Sequence, residues 1–105
     1  MNLQEDVRMR IEAWVRDELT KFVVLSEYEL FFFGSRVQAV EPSRSDIDVG
    51  VRKKDGGCLP SGVVSHMQEY VRELPILQKI DFVDFGQVSD DFAKTAMASV
   101  EQFRR

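Results

Sequence analysis

Two aspartates one residue apart, Asp46-Ile47-Asp48, stand ten residues after a Gly34-Ser35 pair that closes an aromatic run. On a strand, side chains at i and i+2 leave the same face about 7 Å apart, so Asp46 and Asp48 would stand together while Ile47 and Val49 enter a core. Two carboxylates so placed repel each other in water. The pairing becomes favourable when hard divalent cations sit between them, and two-metal phosphoryl-transfer sites are built from such acids. A third carboxylate on a neighbouring strand would complete the cage, and the segment KIDFVDF offers Asp81 and Asp84, which an odd separation puts on opposite faces. Gly34 lacks a Cβ and lets backbone N–H groups approach a phosphate tail, the Ser35 hydroxyl can bond a phosphate oxygen, and Arg36 and Arg44 could neutralise its charge.

Those residues need a scaffold. Apolar residues at Leu3, Val7, Ile11, Trp14, Val15 and Phe22 follow helical spacing, with Glu5, Arg8, Glu12 and Lys21 elsewhere around the wheel. Tyr28 to Phe33 (YELFFF) predicts a strand stopped by Gly34, and Asp46 to Val51 alternates acid or glycine with Ile47, Val49 and Val51, a strand with one buried face. Residues 52 to 62, rich in charge and then in Gly, Pro and Ser, predict a mobile surface connection. Val63, Met67, Tyr70, Val71 and Leu74 predict a second helix ended by Pro75, and 79 to 85 a third strand. Ser89 is a good N-cap for a last helix, with Phe92, Ala96, Val100 and Phe103 as its stripe. The order helix, strand, strand, helix, strand, helix predicts an α/β (α+β) fold, a small mixed three-stranded sheet with helices packed on one face.

Composition narrows the functions. The chain has 105 residues, the size of a single domain over 1-105, with ordinary globular proportions of 44% hydrophobic and 30% charged residues. A net charge of -4 argues against general duplex-DNA binding, which needs an excess of Lys and Arg over the binding face. One cysteine, Cys58, and one histidine, His66, exclude an internal disulfide and leave a thiolate zinc site without ligands, so a reducing, cytoplasmic setting is expected. The N-terminal residues mix charge through their apolar positions, unlike a secretory signal, and no stretch is long and apolar enough for a membrane span. Phe31 to Phe33 suit a buried strand better than a base-stacking platform, the basic run Arg52 to Lys54 suits a solvated surface, and neither His66 nor Cys58 has the neighbours of a catalytic group.

At Phe33-Gly34-Ser35, the ten-residue interval and Asp46-Ile47-Asp48-Val49, the sequence resembles the nucleotidyltransferase superfamily that shares the palm of DNA polymerase beta, most closely its minimal, single-domain branch. The family's third acid sits in a hydrophobic-Asp-hydrophobic frame, which Ile80-Asp81-Phe82 matches, so the resemblance selects Asp81 over Asp84. It implies Asp46, Asp48 and Asp81 as catalytic and metal-binding residues, two Mg2+ ions as cofactors, and Gly34, Ser35 and Arg36 as contacts for ATP or another NTP. The activity implied is transfer of a nucleoside monophosphate to a hydroxyl acceptor. The implied partner is a small helical HEPN-domain protein, with this chain as antitoxin, and a homo-oligomer is the other way to complete so small a palm. Two other readings belong beside it: a small-molecule, antibiotic-type adenylyltransferase, and a palm without activity that only binds a toxin. The second draws on Val37-Gln38-Ala39, where many minimal members carry a second glycine.

Overall fold

The computed structural model describes residues 5–33, 47–98 and 100–103. Helix α1 (Glu5–Leu19) and a single 3-10 turn, Leu25–Glu27, lead into β1 (Tyr28–Phe33). Then come β2 (Ile47–Lys53), α2 (Val63–Arg72), β3 (Ile80–Asp84), α3 (Asp90–Met97) and β4 (Glu101–Gln102). No helix among the described residues is long and apolar enough to cross a membrane.

The sheet order is β3-β2-β1-β4, with β1 antiparallel to both neighbours and β2 parallel to β3. The mixed α/β architecture is the expected one, but the sheet has four strands among the described residues rather than three. The added strand is β4, in the stretch that helical spacing had assigned to the last helix: α3 stops at Met97, and Glu101 and Gln102 pair with Phe32 and Phe31. Phe103 then packs on Phe32, ring centroids 4.8 Å apart, instead of continuing a helical stripe.

A second correction concerns the layers. Ile11, Val15 and Leu19 of α1 and Val63, Met67 and Val71 of α2 share one core with Leu30, Phe32, Val49, Val51, Ile80 and Phe82. The opposite face carries Phe31, Phe33 and Phe85, and it is α3 that covers them through Ala96. Helices therefore lie on both faces, not one, because from Leu30 to Phe33 both faces of β1 carry buried apolar side chains and each side has to be shielded from water.

Helix α1 departs from its expected stripe too. Phe22 is exposed, while Arg8 and Glu12, expected on the outer face, are buried. Arg8 is satisfied from several directions: its Nε donates to Glu12 Oε2 at 3.0 Å, one terminal nitrogen pairs with Glu101, the other donates to the Gln102 carbonyl at 2.9 Å, and the guanidinium lies 5.4 Å from the Phe32 ring centre. A buried cation is tolerated only with such partners, and here they fasten β4 to α1.

Gly50, at the centre of β2, has almost no room beside it. A Cβ there would stand 2.5 Å from Cε2 of Phe31 and 2.7 Å from Cε1 of Phe85, both buried rings. Gly50→Ala should therefore lower stability by about 1–3 kcal/mol, the usual range for overpacking, read as a lower denaturation midpoint. An unchanged midpoint would mean the two rings yield freely.

Candidate active site

Strand parity and register build the site. With Ile47, Val49 and Val51 directed into the core of α1 and α2, Asp48 must leave the other face of β2. The ladder pairs Asp48 with Asp81 of β3 on one side and with Phe33 of β1 on the other. Neighbouring strands run about 4.8 Å apart, and partners in a ladder share a face, so the row Asp81, Asp48, Phe33 sets two carboxylates side by side against an aromatic wall. Both acids are half-buried. The row lies where β1 ends and β2 and β3 begin, the same end of the sheet from which the chain leaves Phe33 toward the Gly34-Ser35 pair.

Asp46, Gly34, Ser35 and Arg36, together with Arg44 and Val37-Gln38-Ala39, lie outside the described residues. Among the described residues no group of three or more His, Cys, Asp or Glu could hold a metal ion. What is described, Asp48 beside Asp81, is an all-oxygen, doubly anionic pair on one face, a donor set that suits a hard divalent cation such as Mg2+ and suits zinc or copper poorly.

Asp84 sits apart from this pair. It shares the parity of Ile80 and Phe82, which face the α1 and α2 core, and is itself buried. Its Oδ2 accepts from Leu59 N at 2.9 Å and its Oδ1 from Gly86 N at 2.9 Å. Asp84 is instead a staple between the end of β3 and the segment after β2. Cys58 Sγ donates to the Gly86 carbonyl at 3.2 Å, and Asp55 accepts from Gly57 N at 2.9 Å, a bond that is the first cause holding its carboxyl below the usual range. Leu59 is buried in the core. The segment expected as a mobile connection is thus pinned to the body of the protein; at Gly86 a Cβ would fall 2.2 Å from the Gly57 carbonyl oxygen, so the two backbones touch.

The other candidates settle as scaffold. Phe31, Phe32 and Phe33 are all buried, as a core strand requires. Arg52 pairs with Glu29 across β1 and β2, and exposed Lys54 opens the loop. His66 Nε2 meets Glu18 Oε2 at 2.5 Å, linking α2 to α1 on the far side of the sheet from Asp48 and Asp81. One residue near the acids escaped the sequence reading. Phe92, expected as a core position of α3, is 43% exposed and lies beside Phe33, with the centroids 6.1 Å apart. Its signal was its place directly after the Ser89 cap, Asp90 and Asp91, in a first turn that seldom lies wholly inside.

No protein-family model matches the sequence, and no curated protein does. Solved structures do. A chain from a crystal structure described as a toxin-antitoxin with AMP-PNP superposes with a TM-score of 0.65 at 19% identity, over 89% of this chain and 72% of that one. A chain from the complex of a tri-AMPylated Shewanella oneidensis HEPN toxin with MNT antitoxin superposes with a TM-score of 0.54 at 16% identity, over 89% of this chain and 71% of that one. At such low identity the likeness is one of fold alone: this chain shares its mixed α/β fold with chains found in those toxin-antitoxin complexes.

Proposed function

We propose that this chain is a magnesium-dependent nucleotidyltransferase that moves AMP from ATP onto a hydroxyl of a partner protein, a small helical HEPN-domain toxin, and so acts as its antitoxin. The observation that carries the reading is the register of β2 against β3, which brings Asp48 and Asp81 together on one face beside the strand end that leads to Gly34-Ser35. The shared fold supports it, since one neighbour comes from a complex with AMP-PNP and another from a complex holding an AMPylated toxin.

Asp48 and Asp81, with Asp46, would hold the metal ions. Bound there, two Mg2+ ions would neutralise the phosphate tail and polarise the reacting oxygens. Gly34 N–H and the Ser35 hydroxyl hold that tail, and Arg36 offsets its charge. The acceptor oxygen attacks the α-phosphorus as the bond to the β-phosphate breaks; its proton passes to Asp81, and pyrophosphate departs with the bonding pair. Positioning and charge neutralisation supply most of the acceleration in such transfers, so a palm without a catalytic histidine suffices.

Incubation of the chain and its helical partner with ATP labelled at the α-phosphate, in magnesium, should place label on the partner and release pyrophosphate, and chelation by EDTA should stop both. Label on a small-molecule acceptor with none on the partner would move the protein to the antibiotic-type enzymes. A tight complex without label would leave it a binding module.

A further inference from the structure

We propose that Phe92 is the platform on which the base of the bound nucleotide stacks. This rests on the nucleotide reading above and adds to it the residue that grips the non-reacting end of the substrate.

Four phenylalanine rings gather on the sheet face that carries the acids. Phe33, the ladder partner of Asp48, meets Phe85 at 5.0 Å and 87° and Phe92 at 6.1 Å and 78°; Phe85 meets Phe92 at 5.8 Å and 52°. Phe31, Phe33 and Phe85 are buried, whereas Phe92 is the member left 43% exposed. It is braced by two buried rings, edge-on to Phe33 and tilted against Phe85, so it stays in place without being covered, which is what a stacking surface requires. With about 5 Å between ladder partners, Phe92 stands on the order of 10 Å from Asp48, within the reach of one nucleoside whose phosphates lie at the acids. A different use of this end of α3 is disfavoured by charge. Asp90 and Asp91 already occupy the first turn after the Ser89 cap, so the helix end repels a phosphate tail and what it offers a ligand is the ring.

The test compares ligands with and without a base, AMP-PNP against inorganic tripolyphosphate, both in magnesium. Phe92→Ala should weaken AMP-PNP about tenfold and leave tripolyphosphate unchanged, a split that a merely structural role would not produce, and Phe92→Leu should fall between. Phe92→Trp should keep AMP-PNP affinity and lose fluorescence when AMP-PNP binds but not when tripolyphosphate does; Trp14, the one native tryptophan, on α1 beyond the other face, serves as the control. Equal AMP-PNP affinity in Phe92→Ala and the parent, while Asp48→Asn weakens both ligands, would overturn the platform and keep the nucleotide site. A change confined to partner binding would overturn it likewise. Binding of neither ligand by the parent chain would overturn the nucleotide reading and the platform with it.

Discussion

Replacing Asp81 with asparagine is expected to lower nucleotidyl transfer by about a hundred- to a thousandfold, the order seen when one charge-stabilising group is taken from a preorganised site, while the protein folds as before. The amide keeps the shape of the side chain and removes one negative charge from the pair it makes with Asp48. Side by side at strand spacing and half in solvent, two such charges repel by about 1 kcal/mol, so without metal the variant should be at least as stable as the parent. Magnesium should then raise the melting temperature of the parent, which binds it only when folded, and raise that of the variant much less. Asp48→Asn should lower transfer to a similar extent. Undiminished transfer by either variant would end the metal-site assignment.

Three residues further on the same substitution should do the reverse. Asp84→Asn leaves one of two backbone donors, Leu59 N or Gly86 N, facing an amide N–H2 in a buried setting, and Asp84→Ala orphans both. The alanine variant should lose about 3 kcal/mol, roughly 10–20 °C in melting temperature for a domain of this size, with the asparagine variant between it and the parent. Transfer per folded molecule should be retained in both, because Asp84 shares no face with Asp48 and Asp81. Thermal melts and transfer assays on the same preparations separate the two roles. A stable Asp84→Ala protein without activity would reverse the assignments of Asp81 and Asp84.

The strands were legible because their patterns are local. Tyr28 to Phe33 is β1 as its aromatic run implies, β3 lies within one residue of each expected end, and Ser89 caps α3 through its side-chain bond to Phe92 N. Parity alone set Asp81 and Asp84 on opposite faces. What the pattern could not carry is anything decided by distant partners. Two residues of β4 have no period to read, and they form a strand because Phe31 and Phe32 pair with them and Arg8 bonds to them across the chain. The stripe of α3 is amphipathic, but a stripe does not say which side of a sheet it will cover. Arg8 and Glu12 looked like solvated charges because their burial depends on each other and on Glu101. The structural role of Asp84 could not be read from its neighbours because the donor at Leu59 lies 25 residues away. At the site, the interval from Gly34 to Asp46 and Asp48 pointed to the chemistry, whereas the adjacency of Asp48 and Asp81 is a matter of register and came only with the ladder.

The bond between Arg8 and β4 has a meaning for how this protein keeps to itself. Glu101, Gln102 and Phe103 satisfy the outer edge of β1 through Phe32, Phe31 and Leu30. Beneath that two-residue cover lies YELFFF, a sticky segment whose bare edge would recruit strands from other molecules. The guanidinium on α1 thus serves as a latch against aggregation: were β4 to lift, the cost would fall first on a buried charge stripped of its partners, which holds the opened form rare even though the covering strand is too short to hold itself.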